Sequence, residues 1–489
     1  MAFADGGHRS RLIGDLDRSP DEGPDEPVPV LLELNVLYPG GLQAVTEAFA
    51  ELWGGRTPAP SKVTAKLWQS VLTRAQLHEI MTADRRAAAA ADRPVIVFKA
   101  WPDYPLYAQI DRSAPTVKAD AAWRSYNARG RGVVWAVADS GIDACHPHFS
   151  GLELATDPRT GMTAGLHRDF TALVRLPGDP APDPESPLTD AQGHGTHVAG
   201  IIAGATPPGR VAHVAASEEP LDGGYVQRLR VGTLCGMAPE CELVSLKVLR
   251  RTELGTFVTS SAAVIRALEY LRTEVNADPA VLRVHGVNIS LGCPWDPEHY
   301  AAGQSPLSRA VNQLADAGVL VVVSSGNGGG GVGSRADGTA MLGTITEPAH
   351  ADRCIAVGST HREAPHAFGV SWTSGKGPTL DGRLKPNVVA PGEWITSAAT
   401  GLVRSRAGLD DLPADDPERL LTYAEQSGTS MAAPHVSGVL AAFLSARPEF
   451  VGRPREVQQL LMATATDLGR ERYAQGSGVV DLMRMLADA

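Results

Sequence analysis

Residues 133–143, VVWAVADSGID, give the clearest indication of the architecture of this chain. The first six of these residues are apolar without interruption, and a polar turn with a glycine follows at once. A run of this length without alternation is typical of a strand in a parallel sheet that is buried on both faces. Similar runs occur at residues 243–249, 287–291, 319–323 and 354–357. The repeated pattern predicts that these runs form one parallel sheet.

Segments of helical character lie between these strands, for example at residues 259–271 and 307–317. Strands that alternate with helices indicate an α/β domain, with a mainly parallel central sheet flanked by helices. Three stretches interrupt the pattern, at residues 176–190, 205–231 and 401–425. We expect all three to be solvated surface loops.

The N-terminal part of the chain has a different texture. Residues 1–27 are rich in Asp, Gly, Pro and Arg, which predicts a disordered segment. Apolar periodicity then predicts a small β-α-β-α-β unit, in which Thr73 and Gln76 form a capping box at the start of the second helix. Its strands are predicted at residues 28–38, 62–68 and 94–101, with a polar, alanine-rich join at 85–92. The predicted domain boundaries are 1–27, 28–107 and 108–489.

Composition excludes several classes of protein. The chain has 489 residues and a formal net charge of −11, which argues against partners such as nucleic acid or an anionic membrane surface. No apolar run approaches the roughly 18 residues that a membrane helix needs. Five cysteines without a CxxC pair favour neither a disulfide framework nor a zinc site, although a bridge between Cys235 and Cys241 stays open. The first residues lack the apolar core of a signal peptide, so we expect a cytoplasmic protein.

Three short motifs contain the residues that are suited to chemistry. They are DSGID at residues 139–143, HGTHVAG at 194–200 and GTSMAAPHVSG at 428–438. The first follows a predicted strand, and the other two open helices. The ends of strands and the starts of helices meet at the crevice of an open α/β sheet. Asp139, His194 and Ser430 are therefore predicted to lie close together.

These three residue types suit nucleophilic catalysis. A serine hydroxyl is a poor nucleophile until a base removes its proton, and imidazole titrates in the right range for that task. A buried carboxylate fixes the tautomer of the base and stabilises the imidazolium that forms. At a helix start, Ser430 would also lie near the positive end of a helix dipole, which favours a developing oxyanion. A lone serine or aspartate in such a position would be a cap or a turn, but the three motifs together favour catalysis.

In their order and their neighbouring residues, the motifs resemble those of the subtilisin-like serine proteases, the subtilases of peptidase family S8. The resemblance extends over roughly residues 109–486. It implies a three-layer subtilisin-like fold and a serine endopeptidase that hydrolyses extended polypeptide substrates through an acyl-enzyme, without a cofactor. Asp139 would orient the base, His194 would act as general base and then general acid, and Ser430 would be the nucleophile.

The resemblance also implies an oxyanion hole and a substrate cleft. Asn327, which follows the run at 319–323, corresponds to the asparagine that donates to the oxyanion in this family. The implied substrate-binding residues, on two backbone edges and in the primary specificity pocket, are Ser290, Leu291, Gly292, Glu253, Leu254, Gly255, Ser325 and Gly326. Thr346 stands where the family usually has a small residue at the pocket floor, which argues against a deep aromatic pocket.

The N-terminal unit resembles the inhibitory prodomain of these proteases, which has the same order of strands and helices. The resemblance implies that this prodomain-like unit is an intramolecular partner, and that the chain is cut near the bond between Tyr107 and Ala108. The alternative is a permanent, uncleaved domain that aids folding or recruits substrates.

Secreted members of the family often bind calcium in a loop that follows the HGTHVAG helix. In this chain the corresponding stretch is 205–231, where the carboxylates are Glu218, Glu219 and Asp222. A structural calcium ion is conceivable there, but no ligand loop is identified, so we predict no metal.

Two other functions are alternatives to this hypothesis: a catalytically silent binding scaffold and a peptide ligase. A catalytically silent scaffold would have no reason to keep the triad and Asn327, whereas nothing in the sequence separates hydrolysis from peptide ligation. The glycine run at 328–331 lacks the Lys-Ser/Thr of a phosphate-binding loop, so nucleotide binding is rejected. Local structural roles, in hydrogen bonds or turns, are predicted for His197, His435, Asp143, His146 and His148.

Overall fold

The computed structural model describes residues 27–62, 64–102, 113–155, 161–175, 185–217, 225–231, 234–278, 281–296, 298, 300–330, 340–412 and 420–489. The chain divides into two compact units, Met1–Leu106 and Tyr107–Ala489. The segment predicted to be disordered lies outside the described residues, apart from residue 27. The predicted junction between Tyr107 and Ala108 also lies outside them.

The first unit is built around an antiparallel sheet. Its elements are β1 (Val28–Leu34), α1 (Gly41–Trp53), β2 (Ser61–Lys62), β3 (Leu67–Leu72), α2 (Arg74–Ala90) and β4 (Val97–Pro102). The strands lie in the order β2-β3-β1-β4, and Leu32, Phe49 and Ile80 share one apolar core. The predicted capping box is confirmed, because Thr73 and Gln76 each accept a hydrogen bond from the backbone nitrogen of the other.

Two predictions within this unit are wrong. The strand expected at 62–68 lies instead at Leu67–Leu72, because Thr64 Oγ1 accepts from the backbone nitrogens two and three residues later and so closes a turn. The join expected at 85–92 is helical as far as Ala90, since alanine and arginine are strong helix formers and no glycine or proline interrupts them.

The second unit is larger and contains a parallel sheet. Its elements are α3 (Ser113–Thr116), α4 (Ala119–Tyr126), β5 (Val134–Asp139), β6 (Arg168–Asp169), α5 (His194–Ile202), β7 (Val211–Ser217), β8 (Tyr225–Val231), β9 (Glu242–Lys247), β10 (Arg250–Arg251), β11 (Phe257–Val258), α6 (Ser261–Tyr270), β12 (Gly286–Ile289), α7 (Pro306–Asp316), β13 (Leu320–Ser324), β14 (Ile355–His361), α8 (Pro365–Phe368), β15 (Val388–Glu393), β16 (Ile395–Ala398), α9 (Gly401–Arg406), β17 (Thr422–Gln426), α10 (Thr429–Ala446), α11 (Pro454–Thr464), α12 (Arg472–Gln475) and α13 (Leu482–Ala487). The strand order is β15-β14-β13-β12-β5-β9-β6, and neighbouring strands run parallel. The predicted parallel sheet is confirmed, and each apolar run named above forms one of its strands.

Helices cover both faces of this sheet. Successive residues of a strand point to opposite faces, so Trp135 of β5 packs in one apolar cluster with α5 and α10, whereas its neighbour Ala136 packs in another with α6 and α7. Every residue of β5 is buried. This two-sided burial explains why its sequence is apolar without alternation, and it confirms the three-layer α/β architecture.

A second sheet occupies much of what the sequence predicted as surface loops. Its order is β16-β17-β7-β8, so residues 205–231 contribute the β7–β8 hairpin and residues 401–425 contribute α9 and most of β17. These two loop predictions are wrong, because β7 is completed by a parallel pairing with the distant β17. Of the third predicted loop, only residues 185–190 are described, and they contain neither helix nor strand.

Candidate active site

The end of β5 and the start of α5 bring two of the predicted catalytic residues into contact. Asp139 is the last residue of β5, and His194 is the first residue of α5. The imidazole Nδ1 lies 2.8 Å from Asp139 Oδ1, and this aspartate is only 1% exposed. A buried carboxylate at this distance fixes the orientation of the imidazole and leaves Nε2 for proton transfer.

Close packing between strand and helix holds this pair in place. The backbone nitrogen of Gly195 donates to Ser140 Oγ (2.9 Å), and the backbone nitrogen of Ser140 donates to Asp139 Oδ1 (2.8 Å). A side chain at position 195 has no room, because its Cβ would overlap the carbonyl oxygen of Gly141. The glycine after His194 therefore lets α5 begin directly against the end of β5.

Sequence reasoning missed Asp190, which anchors the start of α5. Its buried carboxylate accepts hydrogen bonds from the backbone nitrogens of Gly193 (2.8 Å) and Thr196 (2.8 Å) and from the Thr196 hydroxyl (2.7 Å). Burial raises the pKa of Asp190, although these donors favour its charged form. The signal that could have found it is an aspartate just before a helix whose N-cap residue, Gly193, has no side chain to cap it.

Opposing effects set the charge of His194. Burial disfavours the imidazolium, whereas the charge and hydrogen bond of Asp139 and the charge of Asp190 favour it, so that the pKa of His194 is raised above 6.5. The side chain keeps 21% of its surface exposed, which leaves it within reach of a substrate. The neutral form, which can accept a proton, is therefore reached at a higher pH than in an unperturbed histidine.

Ser430 lies in the first turn of α10, and its side chain is partly exposed. Its hydroxyl donates to the backbone carbonyl of Ser290 (3.1 Å), and Ser290 Oγ donates in return to the carbonyl of Ser430 (2.8 Å). Among the hydrogen bonds of the described residues, none joins Ser430 to His194. Bonds between nucleophile and base are often long without substrate and shorten in the complex.

Asn327 is held beside the start of α10. Its Oδ1 accepts hydrogen bonds from the backbone nitrogen (2.9 Å) and the hydroxyl (3.0 Å) of Thr429. These two donors assign the orientation of the amide and leave Nδ2 as a donor. A Cβ at Gly428 would lie 3.4 Å from Nδ2, so the amide lies next to the residues that precede Ser430. Because Asn327 is exposed, its Nδ2 can donate to an atom of a substrate.

Two predicted substrate-binding residues, Gly292 of the edge segment and Gly326 of the pocket, lie against Thr346. A Cβ at Gly292 would lie 2.6 Å from Thr346 Oγ1, and a Cβ at Gly326 would lie 2.7 Å from Thr346 Cγ2. The backbone nitrogen of Thr346 donates to the carbonyl of Ser325 (3.1 Å). The threonine side chain therefore occupies the space between these two glycines.

Most of the chain matches a known protein family. The model of the subtilase family matches residues 130–479, a range that contains all of the site residues described above. The chain belongs to the subtilase family.

Several curated proteins are similar to this subtilase. The subtilisin-like protease PopC of Myxococcus xanthus is 28% identical over 72% of this chain and 59% of its own length. The serine protease AprX of Bacillus subtilis is 30% identical over 68% of this chain and 61% of its own length. Subtilisin DY of Bacillus licheniformis is 28% identical over 75% of this chain and 95% of its own length. The chain thus spans less than two thirds of the first two relatives and nearly all of the third.

A cavity that the sequence did not predict lies beside one edge of the cleft in this subtilase. It measures about 320 Å³, and Leu291, Gly292 and Cys293 line one side of it. Ser260 and Val264, from the start of α6, line another side. Leu291 was predicted to bind substrate, but the cavity beside it was not predicted. It forms where Leu291 lies opposite α6, and no local sequence pattern indicates such a contact between distant segments.

The other predicted edge forms the turn of the β10–β11 hairpin. Glu253, Leu254 and Gly255 lie in this turn, which is closed by a hydrogen bond from the backbone nitrogen of Thr252 to the carbonyl of Thr256 (2.7 Å). Leu254 is 92% exposed. No hydrogen bond of the described residues connects the turn to the opposite edge, so substrate binding here stays a prediction.

The other histidines near the motifs are buried. His146, His148, His197 and His435 each have a ring nitrogen within 3.2 Å of a backbone carbonyl oxygen. Burial lowers the pKa of His146 and His435 to about 4, and that of His148 and His197 to about 3. At neutral pH these rings are therefore uncharged, in agreement with the structural roles predicted for them.

The described residues do not form a metal site. Among them, no group of three or more His, Cys, Asp or Glu side chains is arranged to hold a metal ion. The described parts of 205–231 contain no carboxylate, and Glu218, Glu219 and Asp222 lie outside the described residues. The described part of this stretch therefore provides no carboxylate ligand for a calcium ion. The five cysteines are free, so the Cys235–Cys241 bridge does not form.

Proposed function

We propose that this subtilase is a serine endopeptidase, in which Asp139, His194 and Ser430 hydrolyse peptide bonds through an acyl-enzyme intermediate. The observation that carries the proposal is the 2.8 Å contact between His194 Nδ1 and the buried Asp139, together with Ser430 in the first turn of α10. An imidazole held by a carboxylate and a serine at a helix start are the groups that acyl transfer needs.

In the first half of the reaction, Ser430 Oγ attacks the carbonyl carbon of the scissile bond, and its proton passes to His194 Nε2. Asp139 stabilises the imidazolium that forms. Negative charge develops on the carbonyl oxygen, where Asn327 Nδ2 donates a hydrogen bond and the start of α10 contributes its dipole. The tetrahedral intermediate then collapses, and the imidazolium gives its proton to the leaving amine.

In the second half, His194 takes a proton from the water molecule that attacks the acyl-enzyme. The same donors stabilise the second oxyanion, and Ser430 regains its proton as the acid product leaves. An amine that replaced this water would form a new peptide bond with the same residues. Hydrolysis and ligation are therefore distinguished by products, which mass spectrometry of a peptide digest identifies.

The substrate that suits this cleft is an extended polypeptide with a small or medium side chain before the scissile bond. Thr346 supports this proposal, because its side chain fills the space between Gly292 and Gly326. The backbone of residues 290–292 would pair with the substrate as an added strand. The cavity beside Leu291 would take an apolar side chain further along the same substrate strand.

The N-terminal unit would be an inhibitory prodomain that is removed near the Tyr107–Ala108 bond. The order of its strands and helices supports this proposal, and β4 ends at Pro102, shortly before the bond. Proline fixes φ in the range that an extended, strand-like tail needs, and Pro105 lies in the same tail. N-terminal sequencing of purified wild type tests this proposal. A protein that is active yet wholly uncut would favour the permanent domain and leave the triad assignment standing.

Ser430→Ala tests the activity itself. The variant should lose hydrolysis of casein and keep its circular dichroism spectrum, because it removes one hydroxyl from a helix start. Ser427→Ala is a matched control, since this exposed serine lies three residues earlier and accepts a hydrogen bond from the backbone nitrogen of Trp394. The control should stay active. Undiminished cleavage by Ser430→Ala would refute the triad, and an inactive wild type would favour a binding scaffold.

The cytoplasmic location expected from the sequence stays a prediction. No helix within the described ranges is both long and apolar enough to span a bilayer.

A further inference from the structure

We propose that Lys376 is a positioning residue for the oxyanion hole: its ammonium group holds the loop that carries Asn327. The inference rests on the proposed protease function. Lys376 lies outside the three motifs and outside every site residue predicted from the sequence, and it touches neither Asn327 nor Ser430 directly.

The ammonium group of Lys376 is buried among backbone carbonyls. Nζ lies 2.8 Å from the carbonyl oxygen of Trp372, 3.2 Å from that of Ser374 and 3.3 Å from that of Gly329. The residue is 6% exposed. A lysine ammonium has three hydrogens to donate, and three carbonyls are present to accept them. Two of these carbonyls belong to the segment 372–376, and the third belongs to the loop that follows Asn327.

The same segment is bonded to both sides of Asn327. The backbone nitrogen of Gly375 donates to the carbonyl of Gly326 (2.7 Å), and the backbone nitrogen of Gly329 donates to the carbonyl of Thr373 (3.0 Å). The approach is so close that a Cβ at Gly329 would lie 2.6 Å from Lys376 Nζ. The residue before Asn327 and the residue two positions after it are therefore both fixed to segment 372–376.

Lys376 also connects this loop to the specificity pocket. Its backbone nitrogen donates to Thr344 Oγ1 (2.9 Å), and its carbonyl accepts from the backbone nitrogen of Thr344 (2.8 Å). Thr344 lies two residues before Thr346, the side chain between the pocket walls. One residue thus contacts both the loop that carries Asn327 and the segment that leads to Thr346.

A charged group in this place requires an explanation, since its described partners are backbone carbonyls and burial alone accounts for the shift of its pKa. Burying a cation without a counter-ion is unfavourable, and burial accordingly lowers the pKa of Lys376. An apolar side chain of the same length would fill the space without that penalty, but it could not bond the three carbonyls. The arrangement is understandable if it fixes the position of the loop rather than maximises stability.

A second buried lysine provides a matched control. Lys385 is 3% exposed, and its Nζ bonds to the carbonyl of Cys354 (3.0 Å) and to Asn387 Oδ1 (2.9 Å). It therefore also has a buried ammonium, but its partners are the residues directly before β14 and β15, not the loop of Asn327. Replacing it should reduce stability without a specific effect on the oxyanion.

The experiment is a double-mutant cycle in the full-length chain. Lys376→Met and Lys385→Met are each made in wild type and in Asn327→Ala, and kcat and KM are measured with a peptide p-nitroanilide. In the wild-type background, Lys376→Met should lower kcat about 10- to 100-fold and leave KM nearly unchanged. In the Asn327→Ala background, the same substitution should lower kcat less than about threefold, because the two residues act as one unit. Lys385→Met should lower the melting temperature and leave kcat within about twofold in both backgrounds.

Different failures are distinguishable. Equal losses of kcat for Lys376→Met in the two backgrounds, or an effect on KM alone, would overturn the inference while the protease function stands. If Lys376→Met does not fold, Lys376→Arg replaces it in the same cycle. Arginine keeps the charge but not the three-pronged geometry of an ammonium, so it should fold and show a smaller, still Asn327-dependent loss of kcat. Cleavage that survives Ser430→Ala would instead refute the function on which the inference rests.

Discussion

The two sides of the candidate site are held in different ways. On the side of the base, Asp139 and His194 are fixed by contacts between two short motifs at the end of β5 and the start of α5. On the side of the oxyanion, Asn327 is bonded to Thr429, which is 102 positions away, and its loop is bonded to segment 372–376. Both sides therefore join distant segments, but on the side of the base both partners lie in contiguous motifs, whereas the loop of Asn327 also depends on segment 372–376, which lies in no motif. Substitutions on the side of the base should abolish peptide hydrolysis, whereas single substitutions on the side of the oxyanion should each lower kcat only in part.

Asp139→Asn should have the largest effect, because an amide favours the wrong tautomer of His194 and cannot stabilise its charged form. We expect kcat to fall by about 10⁴-fold. Initial rates with a peptide p-nitroanilide measure the loss. Asp143→Asn is the matched control, since this carboxylate bonds to Thr400 Oγ1 and not to His194, and it should keep most of the activity. If Asp139→Asn lowers kcat by less than tenfold, Asp139 does not hold the base in the way proposed here.

Asn327→Ala should have the next largest effect, with kcat lowered by about 10²–10³-fold, which is typical when one oxyanion donor is removed. KM should change little, because the donor acts on charge that develops in the transition state. Asn312→Ala on α7 is a suitable control, since its side chain accepts only from the backbone nitrogen of Arg353 among its described contacts. If Asn327→Ala raises KM and leaves kcat unchanged, Asn327 binds the ground state of the substrate.

Thr346→Gly should alter specificity rather than chemistry. Removing the side chain opens the space between Gly292 and Gly326, so kcat/KM for a phenylalanine substrate should rise about tenfold relative to an alanine substrate. Thr346→Val keeps the volume and should keep the ratio of wild type. Rates for a matched pair of p-nitroanilides decide the question. An unchanged ratio in Thr346→Gly would place the pocket floor elsewhere.

The smallest predicted effect is a shift of the pH profile. Only neutral His194 can accept the serine proton, so kcat/KM should rise with pH, and the raised pKa of His194 places the midpoint above 6.5. Asp190→Asn removes one of the charges that raise this pKa and should lower the midpoint. Asp316→Asn, on the exposed end of α7, should leave it in place. A wild-type midpoint clearly below 6.5 would contradict the raised pKa of His194, and a profile flat from about pH 5 to 9 would contradict the assignment of the base.

Much of the fold and the centre of the site could be predicted because their signals are local. Strands such as β5 are apolar throughout since both of their faces are covered, and Asp139, His194 and Ser430 each lie in a contiguous motif. The β7–β8 hairpin could not be predicted in the same way, because its long-range partner is β17. Asp190 and Lys376 were missed for a related reason: their partners are backbone atoms, which leave no pattern of side chains in the sequence.

The buried histidines make the folded state less stable in acid, and this effect is separate from the titration of His194. His146, His148, His197 and His435 take up protons near pH 6.5 when the chain is unfolded, but only near pH 3–4 when it is folded. The unfolded state therefore binds more protons as the pH falls from 6.5 towards 4, and each ring then lowers the free energy of unfolding by up to about 1.4 kcal/mol per pH unit. Urea titrations at pH 7.5 and pH 5 would show this as a lower midpoint in acid. Acid would thus weaken the fold over the same pH range in which protonation of His194 removes the proposed base.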